Sequence, residues 1–138
     1  MPAIDPHNWP YTAPLNDART KWVWSFQIQR DGSLINGQPF YRLETPDDSS
    51  ESDAGGMAFD TEGFLYVATR LGVEVCDQPG RVTAIVNPPL SEGVSDVFFG
   101  GPKMQWLYVT TGGDKVYRRL VKRRGAEAWN PVKPQPRL

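Results

Sequence analysis

The run GMAFDTEGFLYVAT at residues 56–69 constrains the fold of this chain more than any other stretch. Met57 and Phe59 lead into the polar break Asp60-Thr61-Glu62-Gly63, and Leu65, Tyr66 and Val67 leave it. Two short β-prone segments around a polar turn closed by glycine predict a β-hairpin. Further segments follow at 71–77 and 81–86, parted by Gln78-Pro79-Gly80. Proline presets one φ and glycine frees the next, so the chain can reverse there without strain. Strand after strand, joined by tight turns, makes one antiparallel meander.

The meander repeats. Leu65-Tyr66-Val67-Ala68-Thr69 recurs as Leu107-Tyr108-Val109-Thr110-Thr111, 42 positions later. With the same offset Val75 falls on Tyr117, so 116–118 reads as the third strand of a second copy. Upstream, Trp22-Val23-Trp24-Ser25-Phe26 and the turn Asp31-Gly32 are a weaker copy of 73–76 and Pro79-Gly80. A period in the forties built from short strands predicts β-propeller blades. Periodicity alone leaves a β-sandwich as the alternative.

Composition supports a sheet protein and removes several kinds of chemistry. The 138 residues suffice for one domain, and 13 Gly with 13 Pro favour many turns over long helices. Five Trp, five Tyr and six Phe suit packed sheets. A net charge of −1 gives no field that would draw nucleic acid or a membrane surface, so neither is expected as a partner. Cys76 is the only cysteine, which rules out an intrachain disulfide and reads as a small buried hydrophobe. His7 is the only histidine, which removes histidine-rich zinc sites and argues against a catalytic triad. No apolar run approaches membrane-spanning length and no leader is recognisable, so a cytoplasmic location is expected.

Three regions follow from local composition. Residues 1–20, with Pro2, Pro6, Pro10 and Pro14 around Trp9 and Tyr11, predict an extended arm. Residues 21–124 form the β domain, and residues 125–138 a Pro-rich tail with Trp129 as an anchor. Within the domain, Trp22, Trp24, Phe26 and Ile28 alternate onto one strand face. The acidic loop DDSSESD at 47–53 lacks the spacing of a calcium-binding EF-hand and reads as solvated. Arg118, Arg119, Lys122, Arg123 and Arg124 read as a solvated, charged edge. The expected core is Trp24, Phe26, Met57, Phe59, Leu65, Val67, Val73, Val75, Phe98, Leu107 and Val109.

Three spaced motifs in this order, GMAFDTEGFLYVAT, GVEVCDQPGRV and VFFGGPKMQWLYVTT, resemble the C-terminal half of the gluconolactonase, senescence marker protein (regucalcin) and luciferin-regenerating enzyme family. VWSFQIQRDGSLINGQPF is similar to the preceding blade, so the resemblance covers about residues 21–119. It implies an all-β fold, a partial six-bladed β-propeller of about two and a half blades, each a four-stranded antiparallel meander. It also implies a metal-dependent lactonase. One divalent cation, usually calcium, sits in the central channel on a Glu, an Asn and the Asp of an Asp-Gly-Met motif. Such a cation polarises a lactone carbonyl and lowers the pKa of bound water.

The sequence departs from that pattern where the chemistry lies. Gly55 stands where the motif Asp should precede Gly56-Met57, and the nearest carboxylate is Asp53. Asp53 is therefore the candidate for both metal ligand and catalytic base. The family's Glu and Asn ligands have no counterpart here, and one carboxylate cannot satisfy a calcium that takes roughly six to eight oxygens. The expectation is a half-propeller acting as a structural or binding module, with no cofactor in the isolated chain. The alternatives are a calcium-dependent sugar-lactone hydrolase completed by a partner chain, or a piece of a longer lactonase. An open half-ring exposes two blade faces, so a homodimer that closes the ring is the expected partner state.

Overall fold

A computed structural model describes residues 12–88 and 92–127, and every named element in it is a strand. The first sheet contains β1 (Thr12–Asn16), β2 (Trp22–Ile28) and β3 (Leu34–Arg42), in that spatial order. The second contains β4 (Met57–Phe59), β5 (Leu65–Thr69), β6 (Gly72–Cys76) and β7 (Val82–Val86), again in chain order. The third contains β8 (Val94–Gly100), β9 (Trp106–Thr111) and β10 (Val116–Leu120), a meander in which β9 lies between the others. All strand pairs within the sheets are antiparallel. The second sheet is the four-stranded meander that its turns predict, and the flanking sheets each hold three strands. The architecture is a partial β-propeller.

Turn chemistry explains the second sheet. Gly80 adopts φ 93°, a left-handed value at which a Cβ would be strained, and its N–H donates to the Asp77 carbonyl at 3.0 Å. Asp77 Oδ1 accepts from the Arg81 N–H at 2.8 Å and closes the same turn. The sheets then pack face to face through two apolar clusters. Val23, Tyr41 and Leu43 of the first sheet region meet Leu65, Val67 and Cys76 of the second. Tyr66, Ala68, Val73 and Val75, on the opposite face of the second sheet, meet Val94, Val97, Phe99 and Leu107 of the third. The ring of Phe99 stands edge-on to Tyr66, with centroids 4.9 Å apart.

Two expectations need correction, and a third gains its place in a sheet. The segment at 12–16, within the expected extended arm, pairs with β2, with Leu15 opposite Trp24. Pro14 is tolerated because β1 is an edge strand, where a missing N–H interrupts no ladder. Trp24 and Phe98 are not core: they are 38% and 42% exposed, on the outer faces of the first and third sheets. Their neighbours Val23, Val97 and Phe99 point the other way, toward the second sheet, because side chains alternate along a strand. The 47–53 loop is not solvated throughout, since Ser52 is buried and its hydroxyl donates to the Thr20 carbonyl at 2.6 Å. Residues 1–11, 89–91 and 128–138, which include Trp9, His7 and Trp129, lie outside the described residues.

Candidate functional site

The inner edges of the three sheets converge at Gly55-Gly56. The side-chain amide of Asn16, at the end of β1, donates to the Gly55 carbonyl. The Gly55 N–H donates to the Ala68 carbonyl at 2.9 Å, and the Gly56 carbonyl accepts from the Ala68 N–H at 3.0 Å. From the third sheet, the Ser95 carbonyl accepts the Gly56 N–H at 3.1 Å. The dipeptide thus joins all three sheets by main-chain contacts.

Such closeness leaves no space for side chains. A Cβ on Gly55 would collide with the backbone carbonyl of Ser95, and one on Gly56 would collide with the Asp96 carboxylate. The cause is a bulge in β8. Val94 pairs with Thr111 and Asp96 with Thr110, so Ser95 is the extra residue. A bulge re-aims side chains at a sheet edge. The Ser95 hydroxyl turns to the hydroxyl of Thr110 at 2.9 Å, and Asp96 Oδ1 accepts the Val97 N–H at 2.8 Å.

Asp53 lies beside this cluster in a left-handed conformation, φ 51°. Its N–H donates to the Ala18 carbonyl at 3.0 Å, and its Oδ2 is gripped by Arg70, at 2.8 Å from Nε and 2.6 Å from Nη2. Hydrogen bonding to Asp53 raises the Arg70 pKa from its ordinary value. The Asp53 side chain is 49% exposed, so solvent and ions reach it. Arg70 is nevertheless the group that any cation would have to displace.

Two participants escape sequence reasoning. Asn16 falls within the expected arm, and Asp96 within an apolar strand. The signal for Asp96 was present: two successive polar residues, Ser95-Asp96, interrupt Val94 and Val97, as a bulge does. Nothing local marks Asn16, because its partner lies 39 residues away.

The arrangement does not fit a calcium ion by itself. Among the described residues no three of His, Cys, Asp and Glu come together, and Asp53 and Asp96 are the carboxylates nearest Gly55 along the chain and across the bulge. The oxygens of Gly55, Gly56 and Ser95 each accept an N–H group, and the position that would carry the motif carboxylate has no space for one. Cys76 is also not a ligand candidate. It is fully buried, and burial, with Glu74 and Asp77 nearby, pushes its thiol up to about 12.

The basic cluster has structural partners rather than a solvated role alone. Arg123 pairs with Glu62 and lies 3.5 Å from Asp60 Oδ2, with its guanidinium 3.8 Å above the Phe64 ring. Arg118 lies 4.4 Å above the Trp106 ring. A cleft of about 250 Å³ separates the second and third sheets, lined by Val73, Val86, Leu107, Val109, Tyr117 and Arg119 among others.

Comparison with known proteins agrees with this architecture. Residues 8–113 match the family model described as the SMP-30/gluconolactonase/LRE-like region. Among solved structures, a putative gluconolactonase is 21% identical, with TM-score 0.64 over 78% of this chain and 34% of that one. A calcium-binding protein, regucalcin from Agrobacterium tumefaciens strain C58, is 18% identical, with TM-score 0.68 over 92% of this chain and 46% of that one. The chain therefore spans less than half the length of either structure. At these identities the likeness is one of fold.

Proposed function

The chain belongs to the SMP-30/gluconolactonase/LRE-like family, and we propose that it acts as a cytoplasmic structural or binding module that does not hydrolyse sugar lactones by itself. The observation that carries this reading is the closed position at Gly55. Where the family motif places a carboxylate, a Cβ would collide with the Ser95 carbonyl. Asp53, the remaining candidate ligand and base, is paired with Arg70 through Oδ2. A general base needs a free lone pair within hydrogen-bond reach of the water that it activates. Two guanidinium nitrogens hold Asp53 Oδ2, which leaves Oδ1 as the oxygen open to a water.

A second reading rests on Asp53 itself. Its side chain is half exposed, and it lies two residues from the motif position, so a partner chain bringing further oxygen ligands would complete a calcium-dependent lactone hydrolase around it. Hydrolysis of gluconolactone, followed with and without calcium, separates the two. The first reading expects the rate of buffer alone. Calcium-dependent turnover that Asp53→Asn abolishes would establish the second.

A further inference from the structure

The registers of the second and third sheets superpose residue on residue. In the second, Ala58, Tyr66 and Val75 lie side by side across β4, β5 and β6, and Ala68 pairs with Val73. In the third, Phe98, Tyr108 and Arg118 lie side by side across β8, β9 and β10, and Thr110 pairs with Val116. Tyr108 thus occupies the place of Tyr66, and Val116 the place of Val73. The exposures differ sharply. Val73 is 1% exposed and Tyr66 4%, because the third sheet covers them. Val116 is 59% exposed, Leu120 61% and Phe98 42%. The third sheet carries the face that receives a neighbouring blade, and nothing among the described residues covers it.

The opposite end of the chain carries the complementary face. Each later sheet turns one face toward its predecessor: Leu65, Val67 and Cys76 in the second, Val97, Phe99 and Leu107 in the third. The corresponding face of the first sheet carries Trp24, whose ring lies against Phe26 at 6.5 Å, and Leu15 beside it. Leu15 is 47% exposed and Trp24 38%. The described residues therefore leave one face of each kind uncovered, and the two kinds interlock twice among them.

We propose that the bare face of the third sheet, bearing Phe98, Tyr108, Val116 and Leu120, docks on the Leu15–Trp24 face of a second copy of this chain, with the reciprocal contact closing a ring of two half-propellers. Contacts between unlike faces close only when the rotation returns on itself. Three sheets per copy give six in the pair, inside the range of roughly four to eight blades in closed propellers. Contiguous exposed apolar faces mark interaction surfaces. The one charged replacement, Arg118 in the place of Val75, lies flat on Trp106 and still presents an apolar surface. This inference rests on the fold and not on whether the chain is catalytic.

Light scattering coupled to size-exclusion chromatography tests it on the whole chain at micromolar concentration. The expected mass is twice the 15.5 kDa of one copy. The double variant Val116→Asp/Leu120→Asp and the single variant Trp24→Asp alter exposed positions on different faces. Each alone should run as a monomer with an unchanged circular dichroism spectrum. Mixed together they should partly recover the dimer, because that pair retains one unaltered seam. A wild-type monomer, an open-ended polymer or a dimer indifferent to both changes would overturn the proposal. If one variant fails to fold, the other decides, since altering either face breaks both seams.

Discussion

The Tyr66 hydroxyl donates to Asp60 Oδ2 at 3.1 Å, and both residues are buried. The other oxygen, Asp60 Oδ1, accepts the N–H groups of Glu62 at 2.9 Å and Phe64 at 3.0 Å. One carboxylate thus closes the β4–β5 turn and ties it to a core tyrosine, while Arg123 supplies a nearby positive charge. Burial, and then the Asp60 charge, raise the Tyr66 pKa well above its ordinary value, so the phenol stays a donor.

Replacing Asp60 with Ala leaves two backbone donors and a buried phenol without their acceptor. The expected loss is roughly 3 kcal/mol of unfolding free energy, measured by urea denaturation, and roughly 1 kcal/mol for Tyr66→Phe. A loss below about 0.5 kcal/mol for Asp60→Ala would show that the turn does not depend on this carboxylate.

Leu107 is 2% exposed and packs in the cluster between the second and third sheets. Leu107→Ala should cost roughly 2–5 kcal/mol, through lost burial and the cavity left behind. Near-neutral behaviour in the same denaturation experiment would mean that these sheets do not pack as described.

Much of this was legible in the sequence. The 42-residue repeat and the Pro79-Gly80 turn mark the meander of the second sheet and its copy in the third, whereas β1 lay hidden in the segment expected as an arm. The exposed Trp24 and Phe98 were not legible, because strand alternation gives a face but not whether another sheet covers it. Asp60 reads as an ordinary turn residue. Its burial beside Tyr66 is not visible locally, nor is the approach of Arg123, 63 positions later, which reads as part of a charged edge. The candidate site was legible only as a departure: the missing carboxylate at Gly55 is visible, but the bulge at Ser95 that closes the space is not.

Glu74 is fully buried between the first and second sheets. Its Oε1 accepts the Glu44 N–H at 2.6 Å, and its Oε2 has no hydrogen-bond partner among the described residues. Burial raises its pKa above the ordinary 4.5, opposed in part by the Glu44 amide. The folded chain therefore keeps a proton that the unfolded chain releases. Stability is full below the ordinary value of 4.5 and falls as pH rises from there toward the folded value. Glu74→Gln should flatten that fall and raise stability at neutral pH. Thermal unfolding across the acid-to-neutral range checks this, and an unchanged slope would contradict it.

Gly55→Asp restores the motif carboxylate in name only. The new Cβ meets backbone at Ser95, which cannot swing aside as a side chain can. The variant should lose roughly 1–3 kcal/mol of stability and gain no lactonase activity. A stable, calcium-dependent hydrolase would show that the inner edge opens to admit the side chain.

The most direct test of a closed, incomplete site is isothermal calorimetry of the wild-type chain with calcium chloride. Titration to about 1 mM, the weak end of protein calcium sites, should give no saturating heat beyond dilution. Saturable binding near one ion per chain, lost in Asp53→Asn, would contradict it and place a working ligand set beside Gly55.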